Sequence, residues 1–164
     1  MQDFIRPKKL PMDHAQDAYK AGYYIEAIQV LHGWIEVKLR ELLISLRAEA
    51  VGHDKHFGRI WDMTTEISLL SAAKALFIAG VITQTQYSRI QSFNRVRNNL
   101  LHKLFYNPYE KNYPGVPKKE YDAALKVGDE LGWELEILAE NRAELEAPSN
   151  RSVQRTRKKP RAAD

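Results

Sequence analysis

Cysteine is absent from the 164 residues, which removes disulfides, thiolate metal sites and cysteine nucleophiles together. A composition of this kind fits a reducing compartment. Also missing is any run of about 18 apolar residues long enough to span a bilayer. The opening segment Met1 to Lys9 lacks the apolar core of a signal peptide. A soluble cytoplasmic protein with no membrane association is therefore expected. The sequence has no Gly-rich phosphate loop, no Ser-centred elbow and no zinc-helix motif, so the common nucleotide-hydrolysing, serine-hydrolase and zinc-protease signatures are not available to it. His53 and His56, with Asp54 between them, lack a third ligand at a recognisable spacing. No metal and no cofactor is expected.

What remains is ordinary in bulk and uneven in detail. Apolar residues make up 44% of the chain and charged residues 28%, close to globular usage, and the length suits one domain that buries about two thirds of its unfolded surface. The net charge is +4, but residues 147–164 alone carry six basic residues and one acidic residue, leaving the body near −1. The basic balance belongs to the tail and does not describe the surface of the folded part. Residues 148–164 hold almost no apolar side chains and are expected to be disordered. Arg151, Arg155, Arg157, Lys158, Lys159 and Arg161 either maintain solubility or tether phosphates without sequence choice.

The body reads as helices. Residues 1–12, with Pro7 and Pro11, form an extended leader, and residues 13–147 form the domain. Asp13 caps a short helix from His14 to Ala21 that stops at Gly22. From Tyr23 to Glu49, Ile28, Leu31, Ile35, Leu39, Leu42 and Leu46 recur at spacings of three and four. A second line through Ala27, Val30, Trp34 and Val37 widens that surface enough to meet more than one neighbour. After an interruption at Val51–His56 and a short apolar return, Thr64 or Thr65 caps a helix from Glu66 to Ala79, closed by Gly80. Thr83 caps the next helix, Gln84 to Phe105, which ends before Asn107-Pro108. Pro117 opens a last helix from Lys118 to about Ala147, in which Gly128 and Gly132 weaken the helix but permit close approach. No strand alternation and no internal repeat appears. The expected fold is all-α, an up-and-down bundle of four to five helices.

The anomaly is in the helix Gln84 to Phe105. At about 100° per residue, Ile90, Phe93, Leu100, Leu101 and Leu104 fall on one arc, and Arg97 falls in its middle. A guanidinium in that position needs a partner. Either a carboxylate, Glu36 or Glu66, meets it, or the face borders a cleft. His102 is five residues on, about 140° around the helix, and shares a face with Asn98 through i,i+4 spacing. In the structural alternative Arg97 is tied down internally and His102 sits on the surface near a helix end, where a cation suits the dipole. In the functional alternative Arg97 holds a scissile phosphate and His102 moves a proton at the 2′-hydroxyl or the leaving 5′-oxygen.

The pattern Arg97-Asn98-x-x-x-His102 near the end of an amphipathic helix, preceded by a long helix of the type Gly22-Tyr23-Tyr24-Ile25-Glu26-Ala27 through Glu36 and Leu39, resembles the HEPN superfamily. The resemblance covers roughly residues 13–143, and its motif-grade part is residues 97–102. It implies a small all-α domain that acts as a metal-independent endoribonuclease, a toxin of a toxin–antitoxin pair or a phage-defence component. It also implies that Arg97 and His102 are catalytic with Asn98 in support, that RNA is the substrate, and that a cognate antitoxin protein is a partner. The 140° separation asks for helix unwinding near Leu101 or for a two-fold homodimer whose paired helices line one cleft, and the resemblance implies the dimer. Arg95, Tyr106 and Tyr109 are the candidate substrate-binding residues, the tyrosines because stacking tolerates any base. Trp34, Trp61 and Trp133 are expected in the core, and His14 and His32 on helix surfaces. The alternative function is a non-catalytic helical domain of the same type that binds a partner protein or a nucleotide.

Overall fold

Apolar side chains at three- and four-residue spacing wind six helices among the described residues of the computed structural model, which are residues 7–52, 57–105 and 115–146. They are α1 (Pro11–Lys20), α2 (Tyr24–Val51), α3 (Phe57–Thr65), α4 (Leu69–Ile78), α5 (Gln84–Phe105) and α6 (Lys118–Glu146). No strand occurs among the described residues, whose regular structure is all helical. The helix count exceeds the expected four or five because the apolar return at Phe57 winds into a helix of its own.

Boundaries shift where a local preference was misassigned. The leader does not reach residue 12: Pro11 occupies the first turn of α1, where its fixed φ and missing N–H are harmless, and Met12 is buried in the core. Leu10 precedes the helix without a side-chain cap, so Asp13 lies in the first turn instead of capping it. Thr64 and Thr65 do not cap α4 either. Their hydroxyls donate back to Trp61 and Asp62 carbonyls at 2.7 and 2.6 Å in the last turn of α3, and Ser68 is the cap, accepting from the Ser71 N–H at 3.3 Å. At Gly80, φ is +72°, and the Gly80 and Val81 N–H groups donate to the Phe77 and Leu76 carbonyls at 3.0 and 2.9 Å. This left-handed stop is the one expected of glycine at that place. Thr83 caps α5 reciprocally. The Gln86 N–H donates to Thr83 Oγ1 at 3.2 Å, and the Thr83 N–H donates to Gln86 Oε1 at 2.9 Å.

Helix α2 is the spine. Leu31, Ile35, Leu39 and Leu42 are fully buried, and α2 touches each of the other five helices, as its broad apolar surface requires. Helix α6 runs parallel to it, because Leu31 lies near Gly128, Trp34 near Gly132 and Lys38 beside Glu136. Helix α5 is antiparallel to both. Its Arg89 is paired with Glu130 at 2.9 Å and with Glu134, its Phe93 lies against Gly128, and its Lys103 is 3.8 Å from Glu120. A Cβ built on Gly128 would stand 2.7 Å from Phe93 Cε2, so this glycine does permit the close approach its position in the sequence indicated.

Two expectations about side chains are corrected. Trp133 is 39% exposed and sits with exposed Ile137 on the outer face of α6, because the inner face of that helix is filled by Leu131, Leu135 and the two glycines. Trp34 packs partly buried against the core with the Lys38 ammonium 4.3 Å from its ring centre. His14 is exposed as expected, whereas His32 is half-buried between α2 and α5.

Candidate functional site

Helix α5 continues unbroken through Leu101 to Phe105, so unwinding does not bring Arg97 and His102 together. The two remain about 140° apart around one helix and about 7.5 Å apart along it. Arg97 faces inward and is half-buried; His102 is exposed.

The partner of Arg97 is an amide. Gln29 on α2 accepts from both Nε, at 3.1 Å, and Nη2, at 2.7 Å. Asn98 Oδ1 accepts from Nη1 at 2.8 Å. The expected carboxylates are elsewhere: Glu36 accepts from Arg40 at 2.9 Å, and the Arg97 side chain is hydrogen-bonded to Gln29 and Asn98 and not to Glu66. Among the described residues no carboxylate lies within ion-pair distance of this guanidinium. A neutral acceptor fixes the fork of the side chain but leaves its charge unspent. Of the five N–H groups an arginine carries, three donate to described residues and the other two have no partner among the described residues.

Below Arg97 the packing is apolar. Ile25, Ile28, Gln29, Leu100, Leu101 and Tyr121 line a small cavity against it with room for about one water. A nucleobase does not fit there. Tyr121 is buried and its ring centre lies 5.7 Å from that of Tyr24, so two packed rings close this floor.

Along the outer side of α5, Arg95, Asn98 and His102 follow one another at spacings of three and four, on one face. Arg95 and His102 are exposed and Asn98 is half-buried. Asn98 therefore stands between the two chemistries, bonded to Arg97 on one side and one turn from His102 on the other. Tyr106 and Tyr109 lie outside the described residues, as do His53, Asp54, His56 and the basic tail. No group of three or more potential metal ligands occurs among the described residues. No helix among them is long and apolar enough to cross a membrane.

Two members of the seam were missed in the sequence. Gln29 and His32 are half-buried on α2, one turn apart, and they meet Arg97 and Asn94, one turn apart on α5. His32 Nε2 lies 3.1 Å from Asn94 Oδ1, so the imidazole donates from that nitrogen. Burial lowers the pKa of His32, and the nearby Arg97 charge lowers it further, against opposing effects of Asn94 and Glu36. The available signal was the polar line Gln29, His32, Glu36 at spacings of three and four beside the apolar stripe of α2.

Comparison with family models, with curated proteins and with solved structures finds no match to the chain.

Proposed function

We propose that the chain is a metal-independent endoribonuclease of HEPN type, built on an up-and-down helical bundle and active as a homodimer. One observation carries this: a guanidinium held rigid by two amide oxygens, with no carboxylate among the described residues to neutralise it. Such a group is prepared for an anion that arrives from outside, and a phosphodiester oxygen pair fits the two remaining donors. His102 takes the proton from the 2′-hydroxyl as its oxygen attacks phosphorus, or delivers one to the departing 5′-oxygen. The products are a 2′,3′-cyclic phosphate and a free 5′-hydroxyl. Arg97 offsets the charge that builds on the non-bridging oxygens. Asn98 keeps the guanidinium turned toward the groove.

Within one subunit Arg97 and His102 diverge too far to serve one phosphate. Pairing of two α5 helices about a two-fold axis supplies the missing proximity, with Arg97 of one copy opposite His102 of the other. Arg95, on the His102 face, then borders the bound strand. In a cell such an enzyme would serve as the toxin of a toxin–antitoxin or phage-defence module, restrained by a cognate protein. The non-catalytic alternative, a helical domain that binds a protein or a nucleotide, draws on the exposure of His102 and its separation from Arg97.

Incubation of the protein with RNA in chelator tests the enzyme directly: cleavage is expected from wild type and not from His102→Ala, and equal cleavage by the two refutes the catalytic role. Mixing Arg97→Ala with His102→Ala tests the composite site. Random reassortment gives about half heterodimers with one intact site each, hence about a quarter of wild-type activity. No recovery after verified exchange rules out a site shared between copies.

A further inference from the structure

Beyond the Arg97–His102 pair, the seam between α2 and α5 holds an imidazole that the proposed chemistry does not use. We infer that His32 is the second cation of the Arg97 phosphate site: its free ring nitrogen takes up a proton when a phosphodiester settles on the guanidinium, so that the bound anion meets two positive charges. The inference rests on Arg97 being the phosphate holder.

Three features of the seam lead there. The contacts Gln29–Arg97 and His32–Asn94 are successive rungs between antiparallel helices, so the imidazole and the guanidinium are neighbours across the same groove. The Nε2 position is committed to Asn94, which leaves Nδ1 as the lone pair that can be protonated. The ring is also stacked on Phe93, with centres 6.5 Å apart and planes at 30°, and Phe93 is itself locked in the core.

The charges around His32 are few. Arg97 approaches from α5, together with the neutral Asn94, and Glu36 approaches from its own helix. Glu36 is occupied by Arg40 at 2.9 Å. In the free protein burial and then Arg97 hold the imidazole below its ordinary pKa, with Asn94 and Glu36 acting the other way. A phosphate on Arg97 cancels the repulsion from the guanidinium and adds a negative charge beside the ring. Both changes favour the imidazolium. The proton comes from the buffer, and since the bound state holds more protons than the free state, affinity rises as the pH falls.

The test uses the full chain and a short 2′-O-methyl RNA oligonucleotide, which cannot be cleaved because the attacking hydroxyl is blocked. Histidine ring signals are followed by NMR through a pH titration, with and without saturating oligonucleotide, and His32 is assigned with His32→Gln. The pKa of His32 is expected to rise on binding. Oligonucleotide affinity should strengthen between about pH 7.5 and about pH 5.5 more steeply for wild type than for His32→Gln. Arg97→Gln should bind about tenfold more weakly. If binding depends on Arg97 while His32 titrates identically in the free and bound protein, the inference is overturned and the phosphate role of Arg97 survives. If Arg97→Gln binds as tightly as wild type, the phosphate role itself falls.

Discussion

Adding one methyl group at Gly128 sets two well-defined effects against each other. In the interior of α6, alanine is favoured over glycine by about 1 kcal/mol through backbone entropy. At this position, however, the new Cβ would lie 2.7 and 2.9 Å from Phe93 Cε2 and Cζ and 3.0 Å from Leu31 Cδ1. Phe93 is a flat, stiff ring at 2% exposure and Leu31 is fully buried, so neither can swing aside. Overpacking of this kind costs about 1–3 kcal/mol. The net expectation for Gly128→Ala is a loss of about 1 kcal/mol, or about 2–4 °C in Tm for a domain of this size, read by urea and thermal unfolding with circular dichroism. Gly132→Ala is the matched control. Its Cβ would meet Met12 Cγ and Sδ at 3.2 Å, and a methionine can rotate away, so that variant should be neutral or slightly stabilised. A Gly128→Ala protein more stable than wild type would show that Phe93 does not pin α5 to α6.

Gln29→Glu should leave the fold intact, since a carboxylate pairs with Arg97 at least as well as an amide; on the proposed function it should weaken RNA binding and cleavage about tenfold by neutralising the guanidinium, and unchanged activity would contradict the role proposed for Arg97. Lys38 is buried between Glu41 at 2.8 Å and Glu136 at 3.1 Å. Lys38→Met should cost about 3 kcal/mol by leaving Glu136 without its cation, and a loss under about 1 kcal/mol in urea would show that the pair is dispensable. Burial pulls the Lys38 ammonium down, but the hydrogen bond to Glu41 and the ion pair with Glu136 outweigh it and leave its pKa raised. Its contribution is therefore complete below about pH 10.4 and lost as the pH rises through the folded value. For His32, depressed chiefly by burial, the sign is reversed. Wild type should lose stability as the pH falls below about 6.5, more steeply than His32→Gln, and parallel pH profiles of unfolding would exclude a neutral buried imidazole.

The apolar patterning was legible because period and burial coincide. The α2 stripe, the Thr83 cap and the Gly80 stop stand where spacing and turn chemistry put them, and the anomaly at Arg97 is a real contact between helices. The failures have a common physical cause: short elements whose limits depend on neighbours. Pro11 and Met12 belong to a helix because Met12 packs into the core against Gly132, and no local signal announces that. Charge alone points to a carboxylate as the partner of a guanidinium in an apolar arc. An amide does the same holding without neutralising the cation, and amides on a mixed helix face are silent in a sequence. His32 reads as a surface residue for the same reason, since its neighbours at i+3 and i+4 do not reveal the helix that crosses it.

The two amide-linked rungs between α2 and α5 also act as a ruler. Leucine and isoleucine stripes tolerate sliding, because one branched side chain fills the place of another after a shift of one turn, about 5.4 Å. Directional bonds do not tolerate it. Moving α5 by a turn would set Gln29 opposite Asn94 and break both the Gln29–Arg97 and the His32–Asn94 bonds, in the way that a lone buried asparagine fixes the alignment of a coiled coil. The same four side chains that link α2 to α5 thus hold the two helices in one axial alignment, and a sequence relieved of them would keep its helices while losing what fixes their register.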